Sequence, residues 1–135
     1  MIERYTRKEI KDIWEDHNRY SIWLEIELAA AEAMEKLKII PKGVVKKVKS
    51  KAKINPKRIL QIEEKVKHDI IAFLTSITEK AGKEARYLHK GMTSSDVLDT
   101  CFNLQLKQSG KILLKDIDEL LKSIKKQVTE YMLSR

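Results

Sequence analysis

The stretch Leu88-His89-Lys90-Gly91-Met92-Thr93-Ser94-Ser95-Asp96 gathers an imidazole, a cation, a glycine and four consecutive hydroxyl or carboxylate side chains. An apolar-periodic run begins at Thr93 to Asp96, where a helix exposes unpaired backbone N–H groups, so the chemistry on offer is anion binding. His89 adds a titratable partner, and Gly91 a backbone that approaches a ligand closely. The same residues also spell an ordinary helix start, with Thr93 and Asp96 as a Thr-x-x-Asp capping box. Spacing alone leaves both readings open. A second cluster, Lys67-His68-Asp69, precedes the apolar run Ile70-Ile71-Ala72-Phe73-Leu74. Asp69 is the expected cap and His68 lies at the rim, either as a satisfied edge residue or as a ring tuned by the cation and carboxylate beside it. A third pair, Arg4-Tyr5, offers a guanidinium and a phenol to a phosphate, or is simply solvated at a chain end.

Helices must position these groups. Four glycines and two prolines in 135 residues favour long uninterrupted helices, and no strand-like alternation of useful length appears. Thr6-Arg7-Lys8-Glu9 spells a capping box, which predicts a first helix from residue 6 or 7 through Ile10, Ile13, Trp14 and His17. From Ser21 to Lys38 a broad apolar face forms around Ile22, Trp23, Ile26, Ala30, Met34 and Leu37. Glu25, Glu27, Glu32 and Glu35 lie opposite or flanking it, and Pro41 and Gly43 end the helix. The lysine-dense segment from Val44 to Arg58 reads as a short amphipathic surface helix with a solvated cationic face. Asn55-Pro56 restarts a helix through Ile59, Ile62 and Val66, and Gly82 closes the one that contains Phe73 and Ile77. From Ser94 to about Met132 only Gly110 interrupts, and Leu98, Cys101, Phe102, Leu113, Ile117, Leu120, Ile124, Val128 and Tyr131 follow steps of mostly three and four. Such a helix is roughly 60 Å long, more than the preceding segment can cover. Its apolar seam is therefore expected to meet other helices, in an oligomer or in further sequence. Ser109 and Gly110 thin the side chains, which suits a close helix crossing or a tolerated surface glycine.

Composition narrows the classes. A hydrophobic fraction of 42% with 36% charged residues fits a globular helical protein and excludes disorder. The net charge of +8 attracts polyanions, but the excess is lysine, with arginine only at positions 4, 7, 19, 58, 86 and 135. No aromatic residues interleave the lysines of 44–58 to stack bases, which argues against dedicated nucleic-acid binding. The single Cys101 excludes an internal disulfide and leaves no Cys/His metal spacing. No apolar run approaches the roughly 20 residues that span a bilayer and no signal-peptide pattern opens the chain, so cytoplasm is the expected compartment.

Taken together, Glu3-Arg4-Tyr5, Lys67-His68-Asp69-Ile70-Ile71-Ala72-Phe73 and His89-Lys90-Gly91-Met92-Thr93-Ser94-Ser95-Asp96 resemble the N-terminal region of the adenylosuccinate lyases, in the fumarase/aspartase superfamily. The likeness runs in order to about Tyr131. It implies an all-α fold: an N-terminal helical domain, residues 1–93, leading at 94–135 into one long helix of a central helical bundle, assembled as a homotetramer with composite sites. It implies elimination of fumarate from adenylosuccinate, giving AMP, and from succinyl-aminoimidazole-carboxamide ribotide, with no cofactor and no metal. By position, Arg4 and Tyr5 would hold the nucleotide phosphate, and Lys67, His68 and Asp69 would line the substrate site, with His68 in a supporting catalytic role. His89 would lie near the phosphate, and Thr93, Ser94 and Ser95 near a substrate carboxylate. Many family members carry arginine at the position of Lys67, a fork that lysine cannot reproduce. The family's Thr-His-Gly segment with its general-acid histidine and its mobile loop with the base serine have no counterpart in these residues, and Met132 to Arg135 differ from the family's continuation. A truncated product, inactive alone, is the expectation. The alternative is a non-catalytic, self-associating helical interaction module.

Overall fold

Six helices and two 3-10 turns account for most of residues 2–134, which the computed structural model describes, the side chain of Glu3 excepted. Among the described residues there is no strand. The helices are α1 (Lys8–Trp14), α2 (Asp16–Lys36), α3 (Val44–Lys51), α4 (Pro56–Val66), α5 (Asp69–Ala81) and α6 (Ser94–Leu133), with 3-10 turns at Glu3–Tyr5 and Gly82–Tyr87.

The expected capping box at Thr6 does not form. The Thr6 hydroxyl donates instead to the Ile2 carbonyl at 2.8 Å, and α1 starts one residue later, after an extended Arg7. Glu15 is also extended and breaks the periodic run into α1 and α2. The break strands carbonyls at the end of α1, and two side chains answer: the Ile13 carbonyl accepts from Asn18 Nδ2 at 2.8 Å and from Gln105 Nε2 at 2.7 Å. Helix α2 ends at Lys36, earlier than Pro41 and Gly43 suggested, because Lys38 adopts a left-handed φ of 59° and the Leu37, Lys38 and Ile39 N–H groups turn back onto the last carbonyls.

Asn55 caps α4 as its sequence predicted, accepting from the Arg58 N–H at 3.1 Å, with Pro56 as the first helical residue. Helices α4 and α5 pack on each other through a two-residue junction, Lys67-His68, in which Lys67 is left-handed (φ 54°) and His68 extended. Arg58 and Glu79 clasp the pair with two hydrogen bonds, at 2.6 and 3.0 Å.

The core is built around Tyr20 and Trp23 of α2 and Phe73 of α5, all buried. Tyr20 meets Trp23 edge-on with centroids 5.1 Å apart, Trp23 meets Phe73 edge-on at 5.4 Å, and Tyr20 stacks on Phe73 at 6.1 Å. Both geometries suit the ring quadrupoles. Ile59, Ile70, Ile77 and Val48 close around them, and the first turns of α6 join through Val97 and Cys101.

Helix α6 is 40 residues long, and only Val97, Cys101 and Gln105 on it are buried. The thinned patch is a helix crossing: Trp14 Nε1 donates to Ser109 Oγ at 3.1 Å and Asn18 to Gln108 Oε1 at 3.2 Å. Gly110 itself has open space where a side chain would stand. Arg7, just ahead of α1, reaches Asp116, and beyond that contact the apolar stripe Ile117, Leu120, Ile124, Val128 and Tyr131 lies exposed, as its spacing predicted. No helix among the described residues is long and apolar enough to cross a membrane.

Candidate functional site

Two of the three polar clusters sit at helix N-termini, where the backbone leaves N–H groups for ligands or caps; the third lies ahead of α1. Arg4 and Tyr5 lie on the first 3-10 turn, with the Arg4 guanidinium 4.7 Å above the Tyr5 ring. Tyr5 is 73% exposed, so the stacked pair presents a cation and a phenol to solvent.

At the α4–α5 junction the cap is His68, not Asp69. Its extended backbone (φ −152°, ψ 117°) lets Nδ1 accept from the Ile71 N–H at 3.4 Å. Asp69 is the first helical residue, and its Oδ1 accepts from the Ile70 N–H at 2.7 Å while standing 3.6 Å from His68 Nδ1. A ring that caps through Nδ1 carries its neutral-state proton on Nε2. His68 and Lys67 are exposed and Asp69 partly so.

The 88–96 loop is the most built of the three. Leu88 is buried and anchors it, His89 is left-handed at φ 59°, and Gly91 follows at φ 73°, a value that a residue with a side chain rarely adopts. The Thr-x-x-Asp capping box is present: Asp96 Oδ2 accepts from the Thr93 N–H at 2.8 Å. Thr93 and Ser95 are exposed and Ser94 half-buried. Ordinary cap and anion-accessible helix start therefore coexist, because the box uses Asp96 while the Ser94 and Ser95 hydroxyls make no hydrogen bond among the described residues.

His89 does not simply face solvent. Glu27, fully buried on α2, takes its backbone N–H on Oε2 and faces its Nδ1 with Oε1, both at 2.6 Å. The sequence placed Glu27 on the polar flank of α2, whereas the buried line Tyr20, Trp23, Glu27, Ala31 includes it. The steps of three and four through Trp23 and Ala31 were the available signal.

Among the described residues no hydrogen bond or ion pair joins Arg4–Tyr5, Lys67–Asp69 and His89–Asp96 to one another. One groove reaches a member of these clusters: Asp69 lines it together with Trp14, Arg19, Trp23, Leu98 and Phe102, and Leu98 follows Ser94 and Ser95 by one turn of α6. Arg19, which sequence reasoning did not single out, brings a guanidinium stacked over Tyr20 and Trp23 at 4.9 and 5.5 Å. A wider surface hollow, around Glu35, Ile39, Ile40 and Lys42, is lined by none of the candidate residues. Arg19 gives this groove a cation and Asp69 a carboxylate. Burial pushes the thiol of Cys101, on the groove wall, above its usual range, which lowers its thiolate fraction.

Comparison with known proteins agrees with this arrangement of helices and clusters. The chain is 45% identical over 131 residues to an adenylosuccinate lyase of Synechocystis sp., and 44% identical over 131 residues to that of Bacillus subtilis; each match covers 97% of this chain and 30% of the relative. For the adenylosuccinate lyase of Aquifex aeolicus the identity is 43% over 134 residues, covering 97% and 31%. The chain thus spans about 30% of the length of the relatives it matches. A fumarate lyase crystal structure from a Mesorhizobium species superimposes with a TM-score of 0.74 over 81% of this chain and 26% of that one, at 24% identity, which bears on the fold alone. A lyase family model matches residues 3–132, nearly the whole chain, and the chain belongs to that lyase family, similar within it to the N-terminal portion of adenylosuccinate lyases.

Proposed function

We propose that the chain supplies the N-terminal, nucleotide-binding part of an adenylosuccinate lyase. The observation that carries this is identity of 43–45% to three adenylosuccinate lyases across 97% of the chain, with all three polar clusters inside residues 3–132, which the lyase family model matches. Adenylosuccinate brings a phosphate and two carboxylates, and a site for it needs cations with N–H and hydroxyl donors. Arg4 and Tyr5 hold the phosphate together with His89. Lys67, His68 and Asp69 line the substrate pocket, and Thr93, Ser94 and Ser95 at the start of α6 meet a carboxylate. In the elimination a base removes the proton from the carbon beside the scissile C–N bond, the electron pair forms the alkene of fumarate, and the nitrogen leaves with a proton from an acid. Residues 1–135 contain neither the Thr-His-Gly segment nor the serine loop, so in this reading His68 has a supporting role and is not the principal acid or base.

The same reading divides the chain at 93/94, with α6 as the first helix of a bundle, and assigns its exposed seam to helices of further copies. Supporting it, the apolar stripe of Ile117, Leu120, Ile124 and Val128 is left half-exposed in the single chain. Isothermal titration with AMP and with adenylosuccinate tests the site. Binding that disappears in the Arg4→Ala, His68→Ala, Ser94→Ala triple variant, with sedimentation unchanged, is the expected result. Undiminished binding in that variant would refute the assignment, and robust fumarate release by the pure 135-residue chain would refute the supporting role of His68.

A further inference from the structure

Glu27 and His89 are 62 positions apart, yet one side chain meets the other residue twice. The Glu27 carboxylate has no exposed surface, and both its oxygens are spent on His89, one on the backbone N–H and one on the ring. The clamp holds His89 at a left-handed φ of 59°, a region that histidine enters more readily than most residues with a side chain. An ionised carboxylate only accepts hydrogen bonds, so Nδ1 must be the protonated nitrogen of the ring and Nε2 keeps the lone pair in the neutral form. The His89 side chain is 18% exposed, enough for one edge of the ring to reach the surface of the 88–96 loop.

We propose that Glu27 is the positioning residue of His89: it locks backbone and ring together, holds the imidazole in the Nδ1–H form and leaves Nε2 as the ring atom offered to a nucleotide. The ligand half of this inference rests on the proposed placement of His89 beside the phosphate. Neutral, Nε2 accepts a hydrogen bond from a ligand hydroxyl or amine. Protonated, with the cation backed by Glu27, the same atom donates to a phosphate oxygen. Glutamine cannot replace the clamp although it has the same length, for its amide offers one acceptor and one donor where two acceptors are required. Either the His89 backbone N–H loses its partner, or the amide NH₂ faces Nδ1 and drives the proton to Nε2.

Long-range ¹H–¹⁵N spectra of the 135-residue chain, labelled at its three histidines, test this. The expected result for neutral His89 is a protonated-type shift at Nδ1 and a lone-pair-type shift at Nε2. In Glu27→Gln that pattern reverses or mixes, with His17 and His68 unchanged. An Nε2–H tautomer in the wild-type chain would overturn the proposal without any variant. So would an unaltered His89 pattern in a Glu27→Gln chain whose circular dichroism is native. Titration with AMP then separates the two halves. Movement of the His89 resonances supports both; a correct tautomer with His89 unmoved by saturating AMP overturns the ligand assignment, while a wrong tautomer overturns the role of Glu27 whatever AMP does.

Discussion

The exposed seam of α6 sets a quantitative expectation for assembly. Ile117 is 52% and Leu120 60% exposed, and Ile124 and Val128 continue the stripe at helical spacing. Full burial of such a side chain is worth about 1.5–3 kcal/mol, so completing the burial of one already half covered adds about 1 kcal/mol. Replacing Ile117 and Leu120 by lysine removes two such contributions from each chain, about 4 kcal/mol for a symmetric pair, which corresponds to roughly a thousandfold weaker association. Desolvating the introduced ammonium groups pushes further in the same direction. Neither side chain supports the core, so circular dichroism of the double variant stays native. Sedimentation velocity at tens of micromolar reads the outcome: the parent chain sediments as an oligomer and Ile117→Lys/Leu120→Lys as a monomer. A parent that sediments as a compact monomer, or a double variant indistinguishable from it in assembly, would refute the reasoning that this face seeks another helix.

Other consequences concern the core, the caps and the ion pairs. Phe73→Ala deletes the ring shared by Tyr20 and Trp23 and is expected to cost about 3–5 kcal/mol, a large part of a domain's total stability; a urea midpoint within experimental error of the parent would contradict that core. Asp96→Ala removes the acceptor of the Thr93 N–H and should cost about 1 kcal/mol, measured by the same urea titration, with a null effect counting against the capping box. Burial raises the Cys101 thiol, which lowers its thiolate fraction at neutral pH, so disulfide reagents should label the folded chain far more slowly than the urea-unfolded one; equal rates would exclude the buried thiol. The hydrogen bonds from Arg58 hold the Glu79 carboxyl below its ordinary value, so this pair's contribution is present above the unfolded carboxylate range and fades as pH falls through the depressed folded value. Glu79→Gln should therefore flatten the acid limb of a stability–pH profile and change little on the alkaline side, and an unchanged acid limb would show the clasp to be idle.

Helix identity was legible in the sequence where apolar periodicity and local punctuation agree. Asn55-Pro56, Gly82 and the Thr93–Asp96 box each mark a helix end at the expected residue. Thr6-Arg7-Lys8-Glu9 has the letters of a box and not its bonds, because a nearer carbonyl, that of Ile2, captured the threonine hydroxyl. The break at Glu15 had no local sign; it is stabilised from a distance, by Gln105 of α6 reaching the freed Ile13 carbonyl. Left-handed turns at Lys38, Lys67 and His89 were equally silent, since none carries the glycine or asparagine that usually announces one. The site follows the same division. Its residue types and positions along the chain were readable, whereas which atom each side chain spends on the fold depends on partners brought close only by tertiary packing.

The two histidines of the candidate site illustrate what that packing adds. His68 spends Nδ1 as an acceptor on the Ile71 N–H, so its neutral ring carries the proton on Nε2. His89 spends Nδ1 as a donor on Glu27, so its neutral ring carries the lone pair on Nε2. One ring thus offers a ligand a donor and the other an acceptor, although in sequence each is only a histidine beside a lysine and a polar turn. A carboxylate or phosphate is served by the first without any change of charge, and by the second only once its ring is protonated. Substituting the two histidines should accordingly be inequivalent: His68→Gln keeps a neutral donor, whereas His89→Gln leaves the Glu27 carboxylate buried without its ring partner. Thermal unfolding reads this difference in the absence of ligand, with His89→Gln expected to be the more destabilised of the two. The reverse order would mean that Glu27 tolerates its burial unaided, and the opposed polarity of the two rings would then have no structural cause.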